Sequence, residues 1–469
     1  MQSHGRSEEV LESPLTDVRG SDSSPIPIQN PQSPIQNSPM NAFSILQDRG
    51  FFYQSTDVER LRARLAPGQL PVTFYVGFDP TGSSLHIGHL LPVMAMRWLQ
   101  QCGHRPIAIV GGGTAMVGDP SGKTEARQML TTDEIDANAA AIKAQLGRFL
   151  DFGEGKALMI DNAEWLRNLK YLEFLRDIGR HFSVNQMLAA ESVKQRLETG
   201  LSFLEFNYML LQAYDFYILF RDYGCEFQLG GQDQWGNIVA GTGLVRRMLG
   251  KEAFAMTFPL LLKSDGQKFG KTASGAVWLD PQRTSPYHYY QFWRNVDDGE
   301  VGRLLGFFTP LPMDEVARLT APGQDARAQN RAKEILAFEA TCLAHGLEEA
   351  RKAWLAAGSE FGFADPEGVV VTSSALRDIK PAEAVADLPT FTVTAAEVAA
   401  GIWICKLLAD AGLCASNGEA RRLIKGGGCS LGEERIADEK RNVTAADFKD
   451  GQLLLRAGKK NLRRIVIAG

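Results

Sequence analysis

The chain has 469 residues, of which 44% are hydrophobic and 22% charged, and its formal net charge is −5. This length exceeds one ordinary hydrophobic core, so we expect a globular protein of two or three domains. No stretch approaches the roughly 18 consecutive apolar residues of a membrane-spanning helix, and the N-terminus has no signal-peptide core, which predicts a cytoplasmic protein without membrane association.

Residues 1–39 are predicted to form a disordered N-terminal extension. They hold few large apolar side chains, and Pro-Ile-Gln-Asn occurs twice between Pro25 and Pro39. Such a segment cannot bury enough surface to offset the entropy of ordering it. Its acidic residues argue against a mitochondrial transit peptide. Because the residues from Met40 onward have the pattern of a domain start, we expect the extension to be dispensable; the alternative is a gene prediction that begins too early.

Short β-rich runs then alternate with amphipathic helices. The runs are Val72–Val76, Pro106–Val110, Ala157–Ile160, Cys225–Leu229 and Phe258–Leu262. This alternation is typical of the α/β class and predicts a Rossmann-like, doubly wound parallel sheet in a domain of residues 40–284. One of the intervening helices should begin at a capping box made by Thr131 and Glu134.

The remainder of the chain divides into three further parts. Residues 285–357, including Arg331–Leu343, have helical patterns without strands and predict an α-helical domain. Residues 358–400 contain three prolines and are expected to be a linker. Residues 401–469 form a small α+β module with 13 Lys and Arg against 8 Asp and Glu, a net charge of +5. This basic end predicts contact with nucleic acid.

The first predicted strand leads into residues 75–89, YVGFDPTGSSLHIGH, and then into a helix. A strand, a glycine-containing turn and a helix N-terminus together form an anion site. Two histidines three residues apart could equally belong to an ordinary capped helix start. The longer segment, however, resembles the His-Ile-Gly-His signature of the class I aminoacyl-tRNA synthetases, and its flanking residues resemble the tyrosine-specific branch.

The resemblance implies an ATP site at this turn. Thr81 and His86 would hydrogen-bond the phosphates as charge develops, and His89 would help to position the nucleotide near the ribose. Gly88 would let the adenine lie against the backbone. Gly77 and Asp79 of the same segment are also assigned to the ATP site.

A second resemblance lies in residues 264–272, SDGQKFGKT. In isolation this glycine-rich segment would be a solvated turn. It resembles the second class I signature, KMSKS, in the KFGKT form of tyrosyl enzymes. The resemblance implies that Lys268 and Lys271 neutralise the leaving pyrophosphate, that Thr272 adds a hydroxyl, and that the loop closes over ATP. Lys123 and Arg127 are expected to assist.

A predicted helix places Tyr208, Gln212 and Asp215 on one face, at spacings of four and three. Its other residues are largely apolar, so the Asp215 carboxylate requires partners, which could be internal. The segment YMLLQAYDF resembles the tyrosine-binding motif of the family. The resemblance implies that Asp215 and Tyr75 contact the substrate phenol, while Tyr208, Gln212 and Asp119 hold its ammonium group.

Residues 230–237, GGQDQWGN, match another motif of the family, although a surface loop is the alternative. The resemblance implies that Gln234 contacts the tyrosine carboxyl region and Asp233 the ribose hydroxyls. Asn162 and Trp165 are similar to the family's supporting residues beside the tyrosine pocket. Two positions depart from the family pattern, Val76 near the ribose and Gln232 in place of serine.

The C-terminal module contains residues 416–425, SNGEARRLIK, followed by a β-rich end. It resembles a helix-turn-helix-plus-strands module named for a small-subunit ribosomal protein, although a basic helix could also be a solvated surface. The residues predicted to contact RNA are Arg421, Arg422, Lys425, Lys459, Lys460, Arg463 and Arg464.

Together these motifs predict an enzyme that activates L-tyrosine with ATP and transfers it to its tRNA. The family implies a homodimer, and Mg²⁺ is expected to accompany ATP. The six cysteines are scattered without metal-ligand spacing, so we expect free thiols and no protein-bound metal. The alternatives are tryptophan specificity on the same fold and a non-catalytic RNA-binding protein built on a synthetase body.

Overall fold

The computed structural model of the chain describes residues 41–121, 130–262, 269–272, 275–381, 390–432, 434–449, 451–458 and 461–468. The predicted N-terminal extension, residues 1–39, lies outside the described residues.

Six strands of the described part form a mixed sheet in the order β1-β6-β5-β2-β3-β4. The short β1 pairs antiparallel with β6, and all other neighbours are parallel. The predicted doubly wound parallel sheet is therefore confirmed. The strands are β1 Gln54–Ser55, β2 Thr73–Phe78, β3 Arg105–Val110, β4 Leu158–Asp161, β5 Cys225–Gly231 and β6 Phe254–Phe258.

The prediction of a strand at Phe258–Leu262 was wrong, because β6 ends at Phe258 and begins four residues earlier. Leu261 is buried in the core, and its carbonyl accepts a hydrogen bond from Phe269 N outside the sheet. The run is apolar because Phe258 and Leu261 are buried and the residues beside them are partly buried. A short apolar run cannot by itself distinguish a strand from other buried backbone.

Helices cover both faces of the sheet. They are α1 Ala42–Asp48, α2 Val58–Arg64, α3 Ile87–Gln101, α4 Thr132–Leu146, α5 Ala163–Leu166, α6 Tyr171–Asp177, α7 Val184–Ala189, α8 Glu191–Thr199, α9 Phe203–Phe206, α10 Tyr208–Tyr223 and α11 Trp235–Leu249. The capping box at the start of α4 is confirmed, since Glu134 N donates to Thr131 Oγ1 and Thr131 N donates to Glu134 Oε2.

Successive side chains of β2 point to opposite faces of the sheet. Phe74, Val76 and Phe78 belong to the core cluster that includes α3. Tyr75 points to the other face, where its ring packs edge-on against Phe216 of α10 at 5.3 Å. This alternation follows from the two-residue period of a strand. It turns Tyr75 towards α10, on the side opposite to α3.

A helical region follows the sheet and shares its hydrophobic core. Two short strands, β7 Lys271–Thr272 and β8 Gly275–Ala276, pair antiparallel before it. Its helices are α12 Pro286–Arg294, α13 Val301–Phe308, α14 Met313–Leu319, α15 Ala326–His345 and α16 Leu347–Phe361. The predicted helix Arg331–Leu343 lies inside α15. Serine caps α12, with proline in its first turn, and both are common helix starts.

The C-terminal unit has its own core. Its elements are β9 Thr390–Thr394, α17 Ala395–Ala400, β10 Ile402–Trp403, α18 Ile404–Asp410, α19 Asn417–Lys425, β11 Cys429–Leu431, β12 Glu434–Ile436, β13 Asn442–Val443, β14 Gln452–Ala457 and β15 Asn461–Ala468. Among the described residues of this unit, five strands form a sheet in the order β12-β11-β14-β15-β9, and β10 pairs with β13.

The predicted start of this module at Gly401 needs correction. Residues 390–400 were assigned to the linker, whereas β9 pairs parallel with β15 and Val393 and Val398 are buried in the C-terminal core. The segment has few large apolar residues because three threonines of β9 alternate with Phe391 and Val393 along an edge strand. Its composition therefore resembles that of a linker.

All six cysteines are unpaired. In the part of the chain that the structure describes, no helix has the length and apolar character to cross a membrane. No group of three or more His, Cys, Asp or Glu side chains within the same residues is arranged to hold a metal ion.

Candidate active site

A cavity of about 200 Å³ opens at the carboxyl ends of β2, β3, β4 and β5. Ligands of open α/β sheets bind at this edge, beyond the carboxyl ends of the strands. Eleven of the predicted site residues line the cavity: Tyr75, Gly77, Asp79, Thr81, His89, Asp119, Asn162, Tyr208, Gln212, Asp215 and Gln234. The fold thus brings together residues from distant parts of the chain.

One end of the cavity is built around Asp215, whose side chain is 3% exposed. Its two carboxylate oxygens accept hydrogen bonds from Trp165 Nε1 at 2.8 Å and Asn162 Nδ2 at 2.9 Å. Burial raises the pKa of Asp215 to about 7, although both hydrogen bonds oppose the shift. The internal partners expected for a buried carboxylate are therefore present. Each oxygen keeps a further lone pair for another donor.

Tyr75 lines the same end and is also buried. Its hydroxyl has no hydrogen-bond partner among the described residues. Burial and the nearby Asp215 carboxylate raise the pKa of Tyr75 well above its usual range, so the hydroxyl keeps its proton. A buried hydroxyl without a partner is costly, and a polar ligand in the cavity would satisfy it.

The other end carries two further carboxylates. The Tyr208 hydroxyl donates to Asp79 Oδ2 at 2.9 Å, and Gln234 Nε2 donates to Asp119 Oδ2 at 2.6 Å. Gln212 lies on the cavity wall one helical turn from Tyr208. These side chains make this end anionic and rich in acceptors, a combination that suits an ammonium group.

The two histidines of the first motif cap α3. Gly88 N donates to His86 Nδ1 at 3.0 Å, and His86 N donates to His89 Nδ1 at 3.2 Å, while the rings stack at 3.9 Å. An Nδ1 that accepts a backbone N–H carries no proton, so each neutral ring holds its proton on Nε2. Each histidine can therefore cap α3 through Nδ1 and still offer Nε2–H to a ligand, so the two interpretations of the motif are compatible. The cap orients two Nε2–H donors at the positive end of a helix.

Gly88 has a steric role of its own. A Cβ at this position would lie 2.8 Å from Cε1 of the His86 ring, so any other residue would displace the imidazole. Thr81 follows β2 and is exposed at the cavity. Its backbone N–H donates to the Asp79 carbonyl and closes the turn.

The second motif lies against the start of α3. Gly270 has a φ of +82°, and a Cβ there would approach Ile87 Cβ to 3.3 Å. Val277 N donates to the Gly270 carbonyl, and Ile87 N donates to the Val277 carbonyl. The two signature segments are thus joined through one strand-like bridge. The backbone of Lys271 and Thr272 forms β7, whereas Lys268, Lys123 and Arg127 lie outside the described residues.

The turn after β5 carries the residues of the third motif. Asp233 and Gln234 form a short helical turn directly before α11. The family's serine is replaced by Gln232, whose Oε1 accepts a hydrogen bond from Leu260 N at 3.2 Å. This departure ties the turn to the segment after β6. The other departure, Val76, is buried in the core.

Two polar residues of the cavity were missed by the sequence analysis. Thr114 follows the glycine run 111–113 beyond β3, and Gln228 lies on β5 in register with Tyr75. The Gln228 side-chain oxygen is buried without a partner among the described residues. The signals that could have found them were three glycines at the end of a predicted strand and one amide inside an apolar strand.

The C-terminal unit brings only some of the predicted RNA-binding residues together. Arg421, Arg422 and Lys425 lie exposed on α19, and Lys425 pairs with Glu439 at 3.0 Å. The Arg421 guanidinium lies 5.1 Å from the Trp403 ring centroid. On β15, Arg464 donates to Thr390 Oγ1, and Arg463 is half-buried. Lys459 and Lys460 lie outside the described residues.

Comparison with protein families gives two matches. The family model "tRNA synthetases class I (W and Y)" matches residues 68–361. The model "tyrosine–tRNA ligase SYY-like C-terminal domain" matches residues 380–465. The first match covers strands β2 to β6 and the helical region, and the second covers most of the C-terminal unit.

Similar proteins agree with these matches. The tyrosine–tRNA ligase of Clostridium tetani is 50% identical over 427 residues, which cover 91% of this chain and 99% of that protein. The tyrosine–tRNA ligase of Desulfatibacillum aliphaticivorans is 51% identical over 431 residues, or 92% and 99% of the two chains. A C-terminally truncated mitochondrial tyrosyl-tRNA synthetase of Aspergillus nidulans superposes with a TM-score of 0.61 at 32% identity, covering 68% and 94%.

Proposed function

The chain belongs to the tyrosine–tRNA ligases, a branch of the class I aminoacyl-tRNA synthetases, and we propose that the cavity at the carboxyl ends of β2 to β5 is where it activates its amino acid. The enzyme joins L-tyrosine to ATP as tyrosyl-adenylate with release of pyrophosphate. It then transfers tyrosine to the 3′ end of its tRNA and releases AMP.

The observation that carries the assignment of the cavity is the pair formed by Asp215 and Tyr75. Asp215 is buried, held by two donors, and still able to accept a hydrogen bond. The substrate phenol donates to Asp215, and its oxygen accepts the proton of the Tyr75 hydroxyl. Only a group that both donates and accepts satisfies both residues at once.

The anionic end holds the substrate's ammonium group. Asp119, Tyr208 and Gln212 surround it, with Asp119 fixed by its hydrogen bond from Gln234. Gln234 also lies near the tyrosine carboxylate, the nucleophile that attacks the α-phosphate of ATP. Holding this carboxylate in line with the phosphate converts a bimolecular reaction into a local one.

ATP binds next to this end, at the start of α3. Gly77 and Asp79 line the approach, Asp233 contacts the ribose hydroxyls, and Gly88 leaves room beside the His86 ring. The Nε2–H groups of His86 and His89, with the Thr81 hydroxyl, donate to phosphate and ribose oxygens. ATP enters as its Mg²⁺ complex, because Mg²⁺ usually binds through substrate phosphates.

Charge on the leaving pyrophosphate is neutralised by the second motif. Lys268, Lys271 and Thr272 of this motif contact it, and Lys123 and Arg127 assist. These groups act on charge that develops during the reaction, which is the most effective place for electrostatic stabilisation.

Pyrophosphate exchange with tyrosine, tryptophan and phenylalanine tests this function. An indole N–H donates but cannot accept, so tryptophan would leave the Tyr75 hydroxyl unpaired. We expect exchange with tyrosine and far slower exchange with the other two. Exchange with none of them would favour an RNA-binding protein without catalysis, and fast exchange with tryptophan would overturn the tyrosine assignment.

We further propose that the helical region of residues 285–357 binds the anticodon and that the C-terminal unit adds phosphate contacts through its basic residues. Arg421 and Arg422 are exposed on α19 and well placed for such contacts. The enzyme meets its tRNA in the cytoplasm.

The exposed apolar side chains between α6 and α9 support the proposal that the protein is a homodimer. It exposes a group of large apolar side chains, with Leu172 at 78% and Phe203 at 69%, that a second copy would cover: Tyr171, Leu172, Val184, Leu188, Phe203 and Leu204. Sedimentation equilibrium should give the mass of two chains. Leu172→Glu should shift the equilibrium to one chain, and an unchanged dimer would place the interface elsewhere.

A further inference from the structure

A continuous chain of hydrogen bonds joins the two ends of the cavity. It begins at Asp215, which accepts from Asn162 Nδ2 at 2.9 Å. The same amide nitrogen donates to Thr114 Oγ1 at 3.1 Å, and Thr114 Oγ1 donates to Asp79 Oδ1 at 2.7 Å. The Tyr208 hydroxyl completes the chain at Asp79 Oδ2. Thr114, which is 2% exposed, is the central link.

The direction of every proton at the centre of this chain is determined. Gly113 N and Thr114 N donate to Asn162 Oδ1, at 2.8 and 3.4 Å, so the amide nitrogen must face Asp215 and Thr114. Its two protons are used by these two acceptors. The threonine oxygen therefore accepts from Asn162, and its single proton goes to Asp79, because an ionised carboxylate only accepts.

The same logic extends to the ammonium end. Because Tyr208 uses its one proton on Asp79, its oxygen can only accept further hydrogen bonds. A substrate ammonium group is a suitable donor. If the Thr114 hydroxyl rotated, its proton would leave Asp79 and face the amide protons of Asn162. Those protons cannot accept a hydrogen bond. The orientation needed at the phenol end is thus linked to the orientation needed at the ammonium end.

Two backbone glycines lie directly against this chain of hydrogen bonds. A Cβ at Gly111 would lie 2.1 Å from Asp79 Oδ1 and 2.4 Å from Thr114 Oγ1. A Cβ at Gly113 would lie 2.7 Å from Leu166 Cβ and 3.2 Å from Asn162 Oδ1. The glycines at 111 and 113 therefore allow the polar groups to pack directly on the backbone.

We propose that Thr114 is a positioning residue that couples the phenol end of the pocket to the ammonium end. Its hydroxyl holds Asn162 towards Asp215 and holds Asp79 towards Tyr208, so that recognition of one substrate group depends on the order of the other. This inference rests on the proposed assignment of the cavity to tyrosine.

The test compares Thr114→Val, which removes the hydroxyl at nearly constant volume, with Thr114→Ser, which keeps it. Thr257→Val is the matched control, because Thr257 is fully buried and its hydroxyl has no partner among the described residues. Equilibrium dialysis measures the Kd of three compounds: tyrosine, phenylalanine, which lacks the phenol, and 3-(4-hydroxyphenyl)propionate, which lacks the ammonium group. Single-turnover kinetics gives the rate of adenylate formation at saturating tyrosine and ATP.

In Thr114→Val, we expect the Kd for tyrosine to rise about ten-fold, because hydrogen bonds to a charged group are lost. The preference for tyrosine over each of the other two compounds should shrink, and the saturated rate should stay within about two-fold of wild type. Thr114→Ser should restore both preferences, and Thr257→Val should leave them unchanged. If Thr114→Val melts well below the wild type, Thr114→Ala repeats the measurement without either γ-methyl group of valine.

A change in only one of the two preferences, or in neither, would overturn the coupling. An equal change in Thr257→Val would overturn it as well, because it would show a general loosening of the core. The wild-type enzyme tests the underlying assignment separately. If it bound all three compounds equally, the proposed tyrosine site itself would be wrong, whatever the variants did.

Discussion

The protonation of Asp215 links the burial of one carboxyl group to the pH dependence of substrate binding. Its pKa is raised to about 7, chiefly by burial, so the ionised fraction falls as the pH falls below 7. The ionised form accepts the phenol proton, whereas the protonated form has lost one acceptor site. The affinity for tyrosine should therefore weaken progressively between pH 8 and pH 5.5.

Equilibrium dialysis without ATP measures this effect. With no nucleotide bound, His86 and His89 cannot influence the pH profile through contacts with ATP. The carboxylate of tyrosine stays ionised throughout this range, and its ammonium group only becomes more fully charged as the pH falls, so neither group accounts for weaker binding at low pH. Asp215→Asn should bind tyrosine weakly and with a flat pH profile. An equally flat profile in the wild-type enzyme would contradict the proposed role of the carboxylate.

Tyr75→Phe should narrow the preference for tyrosine over phenylalanine, because it removes the donor to the phenol oxygen. One hydrogen bond between neutral groups contributes roughly 0.5–1.5 kcal/mol, so we expect a loss of about three- to ten-fold in the ratio of kcat/KM values. Asp215→Ala should reduce tyrosine activation far more severely.

Tyr289→Phe is a matched control for Tyr75→Phe, because Tyr289 is equally buried and does not line the cavity. Its variant should leave the preference unchanged. If Tyr75→Phe behaved like this control, the assignment of Tyr75 to the phenol would be wrong.

At the scale of elements, Arg49 joins the end of helix α1 to helices α3 and α13. Its guanidinium lies 3.8 Å from the Trp98 ring centroid of α3 and donates to the carbonyls of Gly306, Thr309 and Leu311 at the end of α13. Burial lowers the pKa of Arg49 to about 10, so it remains charged near neutral pH. A cation at a helix C-terminus also interacts favourably with the helix dipole.

Arg49→Met should therefore destabilise the chain by about 2–4 kcal/mol, since it leaves buried carbonyls without donors. Arg60→Met is the control, because the Arg60 side chain is 57% exposed and pairs only at the surface with Glu252. Urea unfolding followed by circular dichroism measures both. Equal losses in the two variants would show that Arg49 does not anchor α13.

The two lysines of the second signature segment are expected to act on the rate of adenylate formation. Lys268→Ala and Lys271→Ala should slow adenylate formation by more than ten-fold while changing the Kd for tyrosine little, because these residues act on charge that develops in the transition state. Pre-steady-state kinetics and equilibrium dialysis separate the two effects. Lys156→Ala, a substitution at the surface, should change neither. Equal losses in rate and in tyrosine binding would contradict the proposed role.

Elements with strong local signals could be predicted from the sequence. The capping box of Thr131 and Glu134 is such a signal, and α4 begins there. The strand at Phe258–Leu262 could not be placed, because an apolar run shows burial without showing what pairs with it. β9 was missed because its pairing with β15 joins residues that are about 70 positions apart in the chain.

The site shows the same limit. His86, His89 and Asp215 belong to long motifs and were found through them. Thr114 has no motif of its own, and its importance comes from contacts with Asp79 and Asn162, which are 35 and 48 residues away. Only the folded sheet, which brings the ends of β2, β3 and β4 together, makes such a residue recognisable.

At the scale of the whole molecule, the catalytic and C-terminal units are built as separate bodies of hydrophobic contact. The core of the sheet and helical region extends to Leu376, and the C-terminal core begins at Val393. The two units also share a polar contact, in which the Arg456 side chain of β14 donates to the carbonyl of Ser359 in α16 at 2.7 Å. Two bodies with separate cores can be separated genetically if the cut avoids both of them.

A truncation after Lys380 should accordingly keep the activation of tyrosine and lose tRNA binding. The assigned residues for tyrosine and ATP all precede this position, so adenylate formation should continue at nearly the full rate. The deleted unit carries the exposed Arg421 and Arg422 and supplies phosphate contacts, so tRNA affinity should fall by more than ten-fold and depend less steeply on salt. A cut after Ala400 is a poorer design, because it leaves β9 and α17 without the core that covers Val393 and Val398. Pyrophosphate exchange and filter binding of tRNA at two salt concentrations measure both effects. Normal charging of tRNA by the shorter chain at physiological salt would show that the C-terminal unit is not an RNA-binding element.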